Sequence, residues 1–158
     1  MKKLSVVFVL ALAVALSPAA MAKNQSGEAA EKAKSDQVRA AVQQICPMTG
    51  NKLGEHGAPT KVKVGKEEVF LCCKGCLKSK VDAKHWATIH ANFAKAQKEC
   101  PVMKKPLPKS PKWTIVDGRI VYVCCPPCIK KIEADPKTYL KMVDASYAAA
   151  VKKEVSKR

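Results

Sequence analysis

All eight cysteines of this 158-residue chain fall into two copies of one pattern. Each copy opens with a Cys-Pro dipeptide, Cys46-Pro47 in the first copy and Cys100-Pro101 in the second. Each copy closes with a Cys-Cys-x-x-Cys cluster, Cys72-Cys73-Lys74-Gly75-Cys76 in the first and Cys124-Cys125-Pro126-Pro127-Cys128 in the second. An internal repeat of this kind predicts a fold built from two similar small units.

Each unit is too small to be stable through its apolar core alone. The whole chain has only two Trp, three Tyr and three Phe residues, so a copy buries too little apolar area to offset its chain entropy. A copy therefore needs a covalent or a metal staple. Thiols are the groups in the repeat that can provide either one.

The segments between the cysteines predict β-hairpins. In the first copy, residues 60–64 and 68–72 are predicted strands on either side of Gly65-Lys66. In the second copy, residues 112–116 and 119–124 flank Asp117-Gly118, a strong signal for a tight turn. Each copy thus contains one hairpin that leads into its cysteine cluster.

Helices are predicted before the first copy and after each cluster. Asp135-Pro136 is typical of a helix start, with Asp as the cap and Pro in the first turn. Apolar residues recur at helical spacing in three places: Val38, Ala41, Val42 and Ile45; Trp86, Ile89 and Phe93; and Tyr139, Leu140, Val143 and Tyr147. We assign these stripes to packing.

The N-terminus has the three parts of a secretory signal peptide. Lys2 and Lys3 precede an apolar run, and Ala20-Met21-Ala22 provides small residues for cleavage after Ala22. The apolar run, residues 4–16, is shorter than the roughly 20 residues that cross a bilayer. We therefore expect a periplasmic or secreted protein with no transmembrane segment after cleavage.

Four thiols in each copy form a candidate site for a soft metal. The candidate ligands are Cys46, Cys72, Cys73 and Cys76 in the first copy, and Cys100, Cys124, Cys125 and Cys128 in the second. Four sulfurs suit tetrahedral Zn, whereas two or three suit Cu(I). Adjacent residues of an extended strand face opposite sides, so one cysteine of each Cys-Cys pair could point into the core. Three or four ligands per site are both compatible with the spacing.

The spacing also resembles a known family. The order Cys46-x25-Cys72-x3-Cys76, repeated as Cys100-x23-Cys124-x3-Cys128, is similar to the TRASH domain and its YHS-domain relatives over about residues 46 to 145. The resemblance implies a treble-clef-like module associated with heavy-metal sensing, trafficking and resistance. It implies that the three spaced cysteines of each copy are the ligands. Cys73 and Cys125 lie outside the minimal pattern of the family.

The sequence therefore predicts an α+β protein with two small tandem treble-clef-like modules, each a Cys-Pro turn, a β-hairpin and a helix, preceded by an N-terminal helix. We expect one Zn or Cu(I) ion per copy, bound for sequestration, delivery or sensing. The predicted parts are a signal peptide at 1–22, a polar leader and amphipathic helix at 23–45, metal-binding modules at 46–99 and 100–150, and a basic tail at 151–158.

Two other uses of the cysteines compete with metal binding. An even cysteine count in an exported protein is typical of a disulfide scaffold, although a bridge between adjacent cysteines would be strained. Cys125-Pro126-Pro127-Cys128 resembles a thiol-disulfide oxidoreductase site, but no βαβ pattern surrounds it. No nucleophile-base pair and no pair of carboxylates recurs in both copies, so we do not expect an enzyme.

The formal net charge of +16 is compatible with anionic partners, such as an envelope surface, but lysines dispersed along the chain are more typical of a surface that keeps a protein in solution. Only three of the 29 basic residues are Arg, and no aromatic residues alternate with a basic cluster, so nucleic-acid binding is not expected.

Histidines occur only in the first copy, so they cannot form a site common to both. We assign the histidines, His56, His85 and His90, to surface or half-buried positions, from which one could supplement the first site. Met48 and Met103 are alternative thioether ligands for Cu(I), but we assign them to packing. The acidic residues Glu67, Glu68, Asp82 and Asp135 are assigned to surface or capping positions.

Overall fold

The structure is a computed structural model and describes residues 19–157. The predicted signal peptide lies outside the described residues except for its last four, which begin the first helix. Within the described range, no helix combines the length and the apolar character needed to cross a bilayer.

The described chain is α+β, as the sequence predicts. Helices and two-stranded antiparallel sheets alternate in the order α1 (Ala19–Gln43), β1 (Thr60–Val64), β2 (Glu67–Leu71), α2 (Ala83–Gln97), β3 (Lys112–Val116), β4 (Arg119–Val123), α3 (Pro126–Ala134) and α4 (Pro136–Val155). A short 3₁₀ helix, Lys74–Lys78, stands in the first copy where α3 stands in the second.

Both hairpins have the register that their turn residues require. Thr60 pairs with Leu71 across β1 and β2, and Lys112 pairs with Val123 across β3 and β4. Asp117 and Gly118 have φ values of 50° and 73°, which is the left-handed pair typical of a tight hairpin turn. The strands lie within one residue of the predicted bounds, and both cysteine clusters begin immediately after the second strand of their hairpin.

Capping bonds determine where two of the helices begin. The Asp82 carboxylate accepts hydrogen bonds from the backbone N–H groups of Lys84 and His85 at the start of α2. The Asp135 carboxylate accepts from Thr138 N–H at the start of α4, after which Pro136 occupies the first turn. The predicted capping roles of both aspartates are confirmed.

The repeated unit also includes the helix that precedes each Cys-Pro dipeptide. Helix α1 ends at Gln43 and α2 ends at Gln97, and each is followed by one left-handed residue, Gln44 (φ 68°) or Lys98 (φ 59°). The loops that follow are closed by equivalent bonds: Cys46 N donates to Asn51 O at 2.8 Å, and Cys100 N donates to Lys105 O at 2.9 Å. Helix α2 therefore closes the first copy and opens the second.

A buried glutamine connects each of these helix ends to its hairpin. Gln43 Nε2 donates to Phe70 O at 2.7 Å, and Gln43 Oε1 accepts from Phe70 N at 2.9 Å. Gln97 makes the same pair of bonds to Tyr122, at 2.6 and 2.9 Å. Because each glutamine lies three residues before a cysteine, these bonds hold the Cys-Pro turn beside the end of the hairpin.

The apolar core is divided unequally between the copies. The larger cluster joins α2, β4, α3 and α4, with Ile89, Val121 and Ile132 fully buried. A smaller cluster lies at the cysteine-rich end of the first copy, and its buried members are Leu71 and three cysteines. Sulfur atoms thus form most of this smaller cluster, which agrees with the need for a covalent or metal cross-link that the composition predicts.

The two hairpins also contact each other. Glu68 N donates to Gly118 O at 2.6 Å. A Cβ atom built on Gly118 would lie 2.5 Å from Glu68 Cγ, so only glycine fits here, quite apart from its positive φ. The tight turn of the second hairpin is therefore also a packing contact with the first.

Candidate metal centre

In each copy, three sulfur atoms from separate parts of the chain converge. We call these groups the inner triads: Cys46, Cys72 and Cys76 in the first copy, and Cys100, Cys124 and Cys128 in the second. Within each inner triad, all three Sγ atoms lie within 4.8 Å of one another. Five of these six cysteines are buried, and Cys124 is half-buried. Each inner triad is close enough to hold one metal ion.

Three different local structures deliver the sulfurs of an inner triad. The first cysteine lies in the Cys-Pro turn that the buried glutamine holds against the hairpin. The second follows the last strand of the hairpin directly. The third lies inside the next helical turn, which is 3₁₀ around Cys76 and α-helical around Cys128. The fold thus brings together residues that are 26 or more positions apart in the first copy.

The remaining cysteine of each copy, Cys73 or Cys125, lies beside its inner triad rather than within it. We call these two residues the outer cysteines. Cys73 Sγ lies 3.8 Å from Cys76 Sγ, and Cys125 Sγ lies 3.2 Å from Cys128 Sγ. Both outer cysteines are partly exposed. The backbone at each is extended, with φ of −161° and −156°, which turns its side chain toward solvent relative to the preceding cysteine.

The sulfur separations suit a thiolate-bound ion. Cys72 Sγ and Cys76 Sγ are 3.6 Å apart, and Cys124 Sγ and Cys128 Sγ are 3.9 Å apart. Two thiolates bound tetrahedrally to one ion at about 2.3 Å each would lie about 3.8 Å apart. The protein therefore already holds these sulfurs near the separation that a bound soft ion requires.

Backbone amides favour the thiolate form of the first cysteine in each inner triad. Burial raises the pKa of Cys46, but hydrogen bonds from the N–H groups of Cys72, Met48 and Thr49 outweigh this effect and lower the pKa to about 7. The pKa of Cys100 is lowered in the same way, against its burial, by the corresponding amides of the second copy. A substantial share of Cys46 therefore carries negative charge at neutral pH, and the thiolate form of Cys100 is favoured in the same direction.

The other sulfurs of the inner triads are poor thiolates in the absence of an ion. Burial, followed by contacts with neighbouring thiols, raises the pKa of Cys76 to about 12. Burial is also the main cause of the raised pKa values of Cys72, Cys124 and Cys128. Metal binding at either site would thus release protons from these thiols, since a soft ion binds the thiolate.

The histidines lie outside both inner triads. His56 is exposed and His85 packs against Gly50. The His90 ring lies between the copies, where His90 Nε2 is 3.1 Å from Glu67 Oε2. Glu67 is itself buried, so its predicted surface position is wrong: His90 of α2 contacts its carboxylate, and Tyr122 of the second copy lies edge-on to the His90 ring.

The methionines of the two Cys-Pro turns differ from each other. Met48 packs partly against the sulfur cluster of the first copy, in agreement with a packing role. Met103 is 46% exposed, so the packing role predicted for it is wrong. Met103 occupies the position of Thr49 in the repeat, and the Thr49 hydroxyl lies 3.7 Å from Cys72 Sγ. The turn of the second copy therefore lacks this hydroxyl contact.

Sequence reasoning missed the two glutamines that align the sites. The available signal was positional, because Gln43 and Gln97 each lie three residues before the Cys-Pro dipeptide of their copy. A polar side chain that recurs at one offset in both copies, at the end of an apolar helix stripe, indicates a buried hydrogen-bonding role.

Comparison of the chain with models of protein families, with curated proteins and with solved structures finds no match.

Proposed function

We propose that this protein binds one soft metal ion in each copy through the three thiolates of the inner triad, with Cu(I) as the preferred ion and Zn as the alternative. The observation that carries the proposal is the convergence of three sulfurs twice in one chain. Soft thiolates select Cu(I) and Zn over hard cations. Structural Zn sites have four protein ligands, so a site with three sulfurs suits Cu(I) better than it suits Zn.

The charge around the sites supports this proposal. Three thiolates around a monovalent ion leave a net negative charge. The exposed Lys74 and Lys78 next to the first inner triad, and Lys130 and Lys131 next to the second, offset that charge. The amides that point at Cys46 and Cys100 act in the same direction.

We propose further that the two copies are tandem TRASH-like or YHS-like modules that act outside the cytoplasm, where the protein sequesters, delivers or senses its metal. The resemblance in cysteine spacing and the signal-peptide pattern at residues 1–22 are the supports for this. An exported site with reduced thiols needs protection from oxidation, and a bound ion protects the sulfurs that it occupies.

Metal loading tests the proposal. The reduced chain is titrated with Cu(I) without oxygen, bound copper is measured after desalting, and free thiols are counted under denaturing conditions. We expect two Cu(I) ions per chain and eight free thiols. Cys46→Ser and Cys100→Ser should each leave one ion per chain, and the double variant should bind none at this affinity.

The opposite result would favour one of the competing uses of the cysteines. No bound metal and no free thiol in protein recovered from its own compartment would indicate a disulfide scaffold. Reduction of insulin disulfides at a rate comparable with thioredoxin would indicate an oxidoreductase that uses Cys125 and Cys128, whose Sγ atoms are 3.2 Å apart.

A further inference from the structure

The second copy contains two overlapping sets of three sulfurs. One is the inner triad. The other consists of Cys124, Cys125 and Cys128, whose Sγ atoms are 3.7, 3.9 and 3.2 Å apart in pairs. The two sets share Cys124 and Cys128 and differ only in whether Cys100 or Cys125 completes them. In the first copy Cys76 is likewise near both cysteines of the adjacent pair, with its Sγ 3.6 Å from Cys72 Sγ and 3.8 Å from Cys73 Sγ.

The two sets differ in their access to solvent. Cys46 and Cys100, which complete the inner triads, are fully buried behind the Cys-Pro turns. The outer cysteines are partly exposed. An ion in an inner triad is therefore closed off on one side, whereas an ion held by the outer set could also contact a ligand from another molecule.

We propose that the outer cysteines, Cys73 and Cys125, are exchange ligands that pass the soft ion between the buried inner triad and a thiol-bearing partner; this rests on the metal binding proposed above. In the step toward release, the outer thiol loses its proton to solvent and forms a bond to the ion. The bond to Cys46 or Cys100 then breaks, and that sulfur remains as a thiolate. Two protein sulfurs stay bound throughout, and no electron is transferred.

The surface next to the outer cysteines indicates the chemistry of that partner. Lys74 and Lys78 are exposed on either side of Cys76, and Leu77 between them is 57% exposed. Lys130 and Lys131 are exposed in the corresponding part of the second copy. A partner with an acidic surface and an accessible thiolate would match this charge and could take the ion from the outer set.

Transfer kinetics and equilibrium affinity together test the proposal. The chain is loaded with two equivalents of Cu(I), and transfer to the Cu(I) chelator bathocuproine disulfonate is followed by its absorbance. We expect the double variant C73S/C125S to keep two ions per chain and to transfer them at least about tenfold more slowly. A tenfold decrease in rate corresponds to about 1.4 kcal/mol in activation free energy. The matched control is C72S/C124S, which removes the neighbouring sulfurs and should lose binding.

A second variant separates the ligand role from packing. C73M/C125M restores a soft sulfur without a thiol, and it should recover part of the transfer rate that C73S/C125S loses. A transfer rate equal to that of the original chain in C73S/C125S would overturn the proposal. So would a loss of affinity as large as that of C72S/C124S, which would make the outer cysteines permanent ligands. Failure of the unmodified chain to bind Cu(I) would contradict the proposed function instead.

Discussion

At the scale of single residues, the alignment of each site depends on one buried amide. The side-chain amides of Gln43 and Gln97 each make two bonds to one strand residue. The amide nitrogen donates to the backbone carbonyl of that residue, and the amide oxygen accepts from its backbone N–H. Each also donates to the carbonyl two residues ahead, Ile45 O or Glu99 O. The cysteine that follows is thereby fixed relative to the hairpin.

Replacing either glutamine should destabilise the fold and weaken its site. Gln43→Ala and Gln97→Ala leave a buried strand N–H and C=O unpaired, so we expect each to cost about 2 to 4 kcal/mol in the free energy of unfolding. Urea unfolding measures the free energy of unfolding of each variant. Gln37→Ala, on the exposed face of α1, is the control and should change the free energy of unfolding by less than about 0.5 kcal/mol. Equal effects at Gln37 and Gln43 would contradict the role assigned to the buried bonds.

The lowered pKa of Cys46 predicts how the stability of the metal-free chain depends on pH. An unfolded thiol titrates near 8.5, whereas Cys46 in the folded chain titrates at about 7. This group therefore stabilises the fold fully above its unfolded pKa, and the contribution is lost as the pH falls through 7. Cys100 is shifted in the same direction. Urea unfolding of reduced protein with a chelator present should show stability that rises from about pH 6 to about pH 8.

Thr49 provides the control for this pH dependence. Its hydroxyl contributes to the lowered pKa of Cys46. Thr49→Val keeps the shape of the side chain and removes that hydrogen bond, so the pKa of Cys46 should rise and the slope of stability against pH should decrease. Stability that falls across this pH range in the original chain would show that the raised pKa values of Cys72 and Cys76 dominate instead.

At the scale of elements, α2 is the part of the fold that both copies share. It follows the first cluster, ends at the glutamine of the second copy, and contributes Ile89 and Phe93 to the large core. The two copies should therefore unfold together, although each has its own hairpin and its own site.

A core substitution in α2 tests this coupling. Ile89 is fully buried, so Ile89→Ala should cost about 3 kcal/mol and shift one common transition. Two variants that each retain a single Trp separate the signals: fluorescence of Trp86 reports on α2, and fluorescence of Trp113 reports on β3. Thr88→Ala, on the exposed face, is the control. Two separate transitions for the two reporters would contradict a shared helix.

The sequence predicts the elements well because their signals are local. Asp117-Gly118 and Gly65-Lys66 define the hairpins to within one residue, and Asp135-Pro136 defines the start of α4. All members of both inner triads are among the candidate ligands that the sequence predicts. The spacing alone leaves open which cysteine of each adjacent pair joins the triad, whereas the family resemblance implies Cys72 and Cys124, and both lie in the inner triads. That choice depends on bonds such as Gln43 to Phe70, 27 residues apart. Glu67 was misjudged for the same reason, since residues of other elements bury it.

At the scale of the whole molecule, the net charge would steer an anionic metal acceptor toward the chain. The chain carries a formal charge of +16, and lysines lie beside both clusters. At physiological ionic strength, the attraction between the chain and an anionic partner is largely screened at separations beyond about 8 Å. The protein should thus exchange metal fastest with anionic partners at low salt.

Salt dependence of Cu(I) transfer measures this effect. Transfer to anionic bathocuproine disulfonate should slow as NaCl is raised from about 0.01 to about 0.5 M, because association with an oppositely charged ligand is steered electrostatically. Transfer to a neutral thiol such as dithiothreitol is the control and should change little. The variant K74Q/K78Q/K130Q/K131Q should show a weaker salt dependence with the anionic chelator. An equal salt effect on both acceptors would argue against steering by these lysines.

The shared helix has a consequence for how a protein of this design can grow. Helix α4 follows the second hairpin in the place that α2 occupies after the first. Lengthening such a chain by a third copy would need no linker, only a glutamine, a left-handed residue and a Cys-Pro turn at the end of α4. Ion capacity would then increase in steps of one per appended copy, with the spacing between neighbouring ions set by the length of a single helix.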